Sequence, residues 1–433
     1  MKQGERCARD AAKAEEILKR YVSAGKMMIG GWDNPWHSYD AYKTAKDMGL
    51  THMFMWGDRG TFLPGKRAGE GSRDMEELQA WFDELGLKAV WQTGSDMNSA
   101  QAGAFNEDLR NYPCVEGIDL FDEPRYPALE MLKGVVKNFD DKFGDSLLCY
   151  FNLLPSSTPD EELHSTYAQY IDKFKEIFEV IRKGRRMVST DVYPLLKEGD
   201  VLSLNDTWLT NMYQLRRLAD ETGAEFTMFI QSVGFNGHRR PKSEEEIRFQ
   251  VWTDLCFGIT GYIYFTYAND PNTTGDFTYT ETVCNKRGEP TDKKYFEGCK
   301  RVNEEVHKFA PVYRSFVWKG VLVSYGDEGS TDAGLAALGK YALPTADFLK
   351  FYQSSSDAVY GVYRAADGSD ALAVVNYTDP CLGLENTVRL IFDGADSVLM
   401  FRKGAWEYCR AAEGMFEVTL GCGEGVFLIP YRS

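Results

Sequence analysis

The stretch Val115-Glu116-Gly117-Ile118-Asp119-Leu120-Phe121-Asp122-Glu123-Pro124 is an apolar run that ends in two adjacent carboxylates and a proline. Buried strands seldom finish on paired acids, because neighbouring carboxylates repel and burial raises the pKa of at least one of them. One acid of such a pair stays protonated near neutral pH while the other stays ionised, which suits general acid catalysis. A solvated turn that begins the next helix would explain the same residues. The place of this strand in the whole chain decides between the two interpretations.

Strands and helices alternate around this stretch, and several helices end at a glycine that is followed at once by an apolar strand, as at Gly49, Gly86, Gly223 and Gly258. Glycine at a helix end is typical of helix-to-strand loops. The predicted strands are 27–32, 52–58, 88–93, 115–123, 148–154, 187–193, 225–232 and 261–267, and the predicted helices are near 38–48, 74–85, 99–110, 126–143, 165–183, 205–222, 243–257 and 292–310. Eight strand-helix units predict an α/β fold of the (β/α)8 TIM barrel type rather than a doubly wound sheet.

The ends of the chain differ from this pattern. A charged amphipathic segment at 8–23 predicts an N-terminal helix, and short strands separated by Gly, Asp, Ser and Asn turns after Phe316 predict a smaller antiparallel β-sandwich. The predicted domains are therefore an N-terminal helical extension at 1–24, a catalytic barrel at 25–316 and a C-terminal sandwich at 317–433. A chain of 433 residues is long enough for this division. The sandwich collects no catalytic residue types, so a supporting role is expected.

Composition excludes several classes of function. A net charge of -16 argues against a nucleic acid partner or an anionic membrane surface. The nine cysteines include no C-x-x-C pair and the five histidines are dispersed, so neither a metal site nor another cofactor is expected. The sequence shows no signal peptide and no membrane-spanning run, which favours a cytoplasmic location. No residue pattern indicates an oligomeric state.

The last residues of the predicted strands are rich in aromatic, amide and acidic side chains. In TIM barrels these residues meet at one rim, where active sites lie. The rim is expected to collect Trp32, Trp56, Trp91, Gln92, Asp122, Glu123, Asn152, Asp191, Tyr193, Gln231 and Tyr264. Apolar walls with a few placed polar groups suit sugar rings, whereas phosphate would require a glycine-rich loop or clustered cations at the rim. A carbohydrate ligand is therefore favoured.

Several of these motifs together resemble barrel glycoside hydrolases that carry a C-terminal β-sandwich. The motifs are Asp122-Glu123-Pro124, Asp191-x-Tyr193-Pro194, Gln231, the run 240–246, the run 258–265 and the closing segment 423–430. The resemblance implies hydrolysis of a β-linked oligosaccharide or glycan, with Glu123 as acid and base. It also implies that Trp32, Trp56, Trp91 and Tyr264 enclose the sugar and that Gln92, Asn152, Tyr193 and Gln231 hold its hydroxyls.

The second catalytic carboxylate is left open by the residues. Glycosidases of the large retaining clan use a glutamate on the seventh strand, and this chain has Gln231 there, which cannot act as a nucleophile. Asp191 is the favoured replacement, as nucleophile or as base for water. Alternatively Asp122 orients a substrate acetamido group that attacks the anomeric carbon, as in hexosaminidase-like barrels with a similar Asp-Glu pair.

Two other classes of function remain as alternatives. A catalytically silent sugar-binding barrel is consistent with the missing seventh-strand glutamate. An aldolase or a metal-dependent hydrolase would require a Schiff-base lysine or clustered histidines at the strand ends, and the sequence has neither there.

Overall fold

The computed structural model describes residues 11–23, 25–56, 71–92, 109–269, 273–274 and 277–432. Its helices are α1 (Ala11–Leu18), α2 (Tyr39–Asp47), α3 (Gly71–Leu85), α4 (Leu129–Phe143), α5 (Asp160–Leu163), α6 (Tyr167–Val180), α7 (Trp208–Thr222), α8 (Glu244–Leu255), α9 (Lys293–Tyr313) and α10 (Ala333–Gly339), with short 3-10 turns at Tyr126–Ala128 and Pro380–Leu382. The predicted helix at 99–110, apart from its last two residues, and the strand ends at 57–58 and 93 lie outside the described residues.

The strands fall into barrel, hairpin and sandwich groups. The parallel strands are β1 (Met28–Gly31), β2 (His52–Trp56), β3 (Lys88–Gln92), β4 (Val115–Asp122), β5 (Leu148–Asn152), β6 (Met187–Thr190), β9 (Glu225–Gln231) and β10 (Gly261–Phe265). Two hairpins are β7 (Leu195–Glu198) with β8 (Val201–Leu204), and β11 (Thr273–Thr274) with β12 (Phe277–Thr278). The remaining strands are β13 (Phe316–Ser324), β14 (Leu349–Ser354), β15 (Ala358–Ala365), β16 (Asp370–Asn376), β17 (Asn386–Phe392), β18 (Ser397–Arg402), β19 (Ala405–Arg410), β20 (Phe416–Leu420) and β21 (Gly425–Tyr431).

The eight parallel strands form a barrel in the order β5-β4-β3-β2-β1-β10-β9-β6, which confirms the predicted fold class. The ring closes between β5 and β6 through a single parallel bridge, Leu153 to Thr190. There the Leu153 amide donates to the Ser189 carbonyl at 2.8 Å, and the Thr190 hydroxyl donates to the Leu153 carbonyl at 3.0 Å. This β5–β6 junction, called the seam below, is thus held by few backbone hydrogen bonds.

Each barrel strand is buried on both faces, because helices cover the outside and side chains fill the inside. Alternation along β3 shows the consequence: Val90 packs inside the barrel with Phe54 and Tyr150, while Trp91 packs outside against the helix layer. A strand that is apolar on both faces does not reveal in its sequence which residues point inward. This ambiguity affects the site assignments below.

Helix α8 connects the barrel to the second region of the fold. Ser243 caps it as predicted, because its side chain accepts a hydrogen bond from the Glu246 amide. Every residue from Glu246 to Leu255 is buried, since the helix lies between the barrel and the sandwich strands β16 and β21. The helix therefore has no solvent-facing stripe.

The C-terminal strands form the predicted antiparallel sandwich. A six-stranded sheet in the order β13-β15-β16-β21-β18-β19 and a three-stranded sheet in the order β14-β17-β20 share one apolar core. An ion pair of 2.6 Å between Arg239 and Asp379 fastens this region to the loop after β9. Within the described part of the chain, no helix is both long enough and apolar enough to cross a bilayer.

Candidate active site

The end of β4 is shaped by an irregularity in its pairing with β5. The register shifts between Asp119 and Phe121, so Asp119 is opposite Tyr150 and Asp122 is opposite Asn152. Such a bulge re-aims the side chains that follow it. Glu123 then adopts a φ of 50°, a left-handed conformation that is uncommon for a residue other than glycine. Strained backbone of this kind concentrates at functional sites.

The structure brings Glu123 and Asp191 into direct contact. The carboxyl of Glu123 lies within hydrogen-bonding reach of the carboxyl of Asp191, and each carboxyl shifts the pKa of the other. Asn152 donates from Nδ2 to Asp191 Oδ1 at 2.8 Å and is also hydrogen-bonded to Asp122. Three carboxyls from the ends of two strands are thus assembled around one amide.

Asn152 is itself held by a chain of hydrogen bonds inside the barrel. The Ser189 hydroxyl donates to Asn152 Oδ1 at 3.0 Å, and the Tyr150 hydroxyl lies 2.6 Å from Ser189 Oγ. Because Oδ1 is occupied as an acceptor, the amide orientation is fixed and its Nδ2 points to the acids. Asn152 is only 2% exposed. Its position fits the orientation of the acids better than the predicted contact with a sugar hydroxyl.

The electrostatics of these acids favour their protonated forms. Burial, and then the nearby charges of Asp191 and Asp122, raise the pKa of Glu123 well above its usual range. Burial and the charge of Asp191 raise the pKa of Asp122 to about 7. Burial also raises the pKa of Asp191, although Asn152, Glu123 and Tyr193 oppose the rise. Solvent still reaches Asp122 and Glu123 from the barrel mouth, so both are accessible to a ligand.

A fourth acid, Asp119, lies deeper in the barrel and was not predicted as a site residue. It is 1% exposed, and neither carboxyl oxygen has a hydrogen-bond partner within the described ranges. Burial and the charge of Asp122 raise its pKa well above the ordinary value. The sequence offers only one sign of its inward position, which is that side chains two residues apart along a strand share a face, as Gly117 and Asp119 do. The bulge after Asp119 breaks this alternation. Asp119, Asp122, Glu123 and Asp191 are called the carboxyl cluster below.

Aromatic side chains border the carboxyl cluster. Tyr193 is 7% exposed, and its hydroxyl lies close enough to Asp191 to lower the pKa of that acid. Its ring packs against Phe265 and edge-on against Phe235, each with centroids 5.1 Å apart. Trp32 lies in the barrel interior, within 5.4 Å of the Phe54 ring. Phe235 and Phe265 are half-buried and form an aromatic wall with Tyr193, which the sequence predicted only as a residue that holds a sugar hydroxyl.

Two predicted sugar-stacking residues are on the wrong face of the barrel. Trp91 and Tyr264 are fully buried in the layer between strands and helices. The Tyr264 hydroxyl donates to Asn303 Oδ1 on α9 at 2.8 Å. The alternation of side chains along a strand sends both residues outward, so the predictions for Trp91 and Tyr264 are corrected to packing roles.

Gln231 is also removed from the substrate-binding set. Its side chain is fully buried, accepts from the Leu195 amide at 2.9 Å and donates to the carbonyls of Leu195 and Arg239 at 3.1 and 2.6 Å. These bonds hold the segment after β6 and the loop after β9. The amide has no donor left for a ligand, so its role is structural.

The remaining predicted residues are placed as follows. Gln92 is half-buried, shares the inner face of β3 with Val90 and is opposite Asp119 on β4. Trp56 ends β2, but its side chain lies outside the described part. Among the described residues, no group of three or more His, Cys, Asp or Glu side chains is arranged to hold a metal ion.

Comparison with solved structures gives similar folds at low sequence identity. A family 39 glycoside hydrolase from Bacteroides cellulosilyticus WH2 aligns with a TM-score of 0.51 and 11% identity, over 94% of this chain and 81% of its own. The fold is shared with barrel glycoside hydrolases. A family 27 β-L-arabinopyranosidase from Geobacillus stearothermophilus aligns with a TM-score of 0.51 and 12% identity, over 96% of this chain and 98% of its own. No family model and no curated protein matches the sequence.

The catalytic candidates of the carboxyl cluster lie at the rim where TIM-barrel sites are built. Glu123 follows β4 and Asp191 follows β6, so both acids are at the C-terminal ends of parallel strands. The seventh barrel strand, β9, ends in the structural Gln231. The arrangement supplies a proton donor and a second carboxyl without a seventh-strand glutamate.

Proposed function

We propose that the protein is a glycoside hydrolase in which Glu123 is the general acid. The observation that supports it is the pairing of two carboxyls, Glu123 after β4 and Asp191 after β6, at the mouth of a parallel barrel, where burial and the Asp191 charge raise the pKa of Glu123. A carboxyl that stays protonated at neutral pH can protonate a departing glycosidic oxygen. The substrate is a β-linked oligosaccharide or glycan, whose ring stacks near Tyr193, Phe235 and Phe265.

Asp191 is the second catalytic carboxyl in this mechanism. Retaining and inverting pairs are separated by about 5 Å and about 6.5–9.5 Å respectively, and the anomer of the product decides whether Asp191 acts as nucleophile or as base for water. In both cases Glu123 carries the proton and Asp191 carries the charge. Asn152 and Tyr193 stabilise that charge, since both lower the pKa of Asp191.

A substrate-assisted mechanism is the second candidate, and the position of Asp122 favours it. Asp122 directly precedes the acid, is hydrogen-bonded by Asn152 and remains open to solvent. It could orient an acetamido group on the substrate, and that group would then replace Asp191 as nucleophile. Activity confined to N-acetylated substrates would select this mechanism.

The test is a screen of aryl β-glycosides of glucose, galactose and N-acetylglucosamine, with the product anomer followed by NMR. Glu123→Gln, which keeps the shape but removes the proton donor, is expected to lower kcat by about 10²–10⁴-fold. Retained binding in this variant would show that the site is intact. A wild-type protein that binds glycans and cleaves none of them would instead support a silent sugar-binding barrel.

A further inference from the structure

A second concave site lies beside the carboxyl cluster. Its walls are the hairpin β7–β8, the loop after β9, the start of α8 and the turn at Pro380 and Cys381 in the sandwich. The cavity has a volume of about 670 Å³, which is within the usual range of about 300–1,000 Å³ for small-molecule sites. This space, called the basic cavity below, has no role in the proposed cleavage step.

The basic cavity adjoins the active-site wall through His238, which lines it. The His238 ring stacks on Phe235 with centroids 4.5 Å apart and lies edge-on to Tyr193 at 5.9 Å. Tyr193 faces Asp191. A ligand that stacks on Phe235 and Tyr193 at the cleavage point therefore has its next unit directed towards the basic cavity.

The lining of the basic cavity is richer in cations than the chain as a whole. It holds the four cations Lys197, Arg239, Arg240 and Lys242 and the two acids Asp200 and Glu246, in a protein of net charge -16. Acids offset the two arginines, so the attraction of anions depends on the two lysines. Burial lowers the pKa of His238, so the imidazole offers a flat neutral surface at neutral pH.

Two of the lining cations are already engaged. Arg239 is paired with Glu246 at 3.3 Å and with Asp379 at 2.6 Å, and it forms a fixed part of the wall. Arg240 is paired with the exposed Glu281 at 3.1 Å and its guanidinium lies over the Tyr295 ring. Lys197 and Lys242 are exposed, so these two ammonium groups are the ones available to an incoming anion.

We propose that the basic cavity is a subsite for an acidic sugar, which carries a carboxylate or a sulfate next to the unit that is cleaved. Lys197 and Lys242 bind the anionic group by charge-assisted hydrogen bonds. The identification of the ligand as a sugar rests on the proposed hydrolase function. The preference for negative charge rests on the cavity alone.

The experiment measures binding by calorimetry in the Glu123→Gln background, so that no turnover disturbs it. One pair of probes is β-1,4-linked oligomannuronates and their methyl-esterified neutral forms. The other is sulfated carrageenan oligosaccharides and their desulfated forms. If the charged probe of the first pair binds more tightly than its neutral form, the ligand carries a carboxylate. If the charged probe of the second pair does so, the ligand carries a sulfate. No difference within either pair overturns the proposal.

Lys197→Ala combined with Lys242→Ala is expected to weaken binding of the preferred charged probe by about tenfold and to leave binding of its neutral form unchanged. The matched control removes two exposed lysines of the C-terminal region, Lys319→Ala with Lys340→Ala. Equal losses in both double variants would mean that the overall field binds the probe, which contradicts the subsite. Cleavage of neutral aryl glycosides by wild-type protein tests the hydrolase proposal separately.

Discussion

Replacing Gln231 by glutamate would restore the residue type that retaining barrel glycosidases use on the seventh strand. In this structure the change should destabilise the protein without creating a nucleophile. Nε2 of Gln231 donates to the carbonyls of Leu195 and Arg239, and a carboxylate cannot donate to either. The Leu195 carbonyl keeps a hydrogen bond from the Arg239 backbone amide at 3.0 Å, so the Arg239 carbonyl is the acceptor that the substitution leaves without a donor.

The size of the effect follows from these bonds. An unsatisfied buried carbonyl costs about 1–3 kcal/mol, and the desolvated acid adds to it, so Gln231→Glu should lose about 2–4 kcal/mol of unfolding free energy near neutral pH. Burial raises the folded-state pKa of the new acid above its unfolded value. The loss is therefore smallest below the unfolded pKa of about 4.3 and grows as pH rises towards the folded pKa.

Urea unfolding at several pH values would measure this loss, with aryl glycoside activity assayed in parallel. The matched control is Gln214→Glu on α7, where the half-buried side chain allows a change within about 0.5 kcal/mol. A Gln231→Glu variant that is as stable as wild type and more active would refute the reasoning. It would show that position 231 faces the substrate.

Three other predictions concern the site and its surroundings. Because the pKa of Glu123 is raised, activity that needs its proton should persist through neutral pH and fall as pH rises through that pKa. A requirement for ionised Asp122 would add an acidic limb near pH 7. The pH profile of kcat/KM measures both limbs, and an alkaline limb that lies below neutral pH would contradict the assignment of Glu123. Asn152→Ala removes the hydrogen bonds that lower the pKa of Asp122 and Asp191, so the acidic limb should move to higher pH, and an unmoved limb would exclude Asn152 as a positioning residue. Trp91→Ala should cost about 3–5 kcal/mol of stability in thermal or urea unfolding and leave KM unchanged, whereas a raised KM in folded protein would return Trp91 to the sugar site.

The order of strands and helices was accessible from the sequence because glycine joints and apolar runs mark each unit. The hairpin β7–β8 was not predicted, since Leu195 to Leu204 reads as a loop between two barrel units. It nevertheless forms one wall of the basic cavity, which shows how an insertion between units can add a binding surface.

The sequence identifies candidate site residues by their chemistry, but it does not show in which direction a side chain points. Acids at the ends of apolar strands, such as Glu123 and Asp191, are conspicuous in any sequence. Trp91 and Tyr264 lie within strands, and a strand buried on both sides does not encode in its composition which face a residue occupies, whereas Trp32 and Tyr193 follow the last residues of β1 and β6. Asp119 was missed because a bulge follows it.

At the seam, the same side chains close the barrel and position one of the buried acids. Asn152 and Ser189, whose side chains bond to each other across the joint, also fix the orientation of Asp191. A substitution at either position would therefore weaken the closure of the barrel as well as change the position of the acid. Directed evolution should tolerate fewer substitutions at the seam than on the aromatic wall around Phe235, where side chains do not hold the barrel closed.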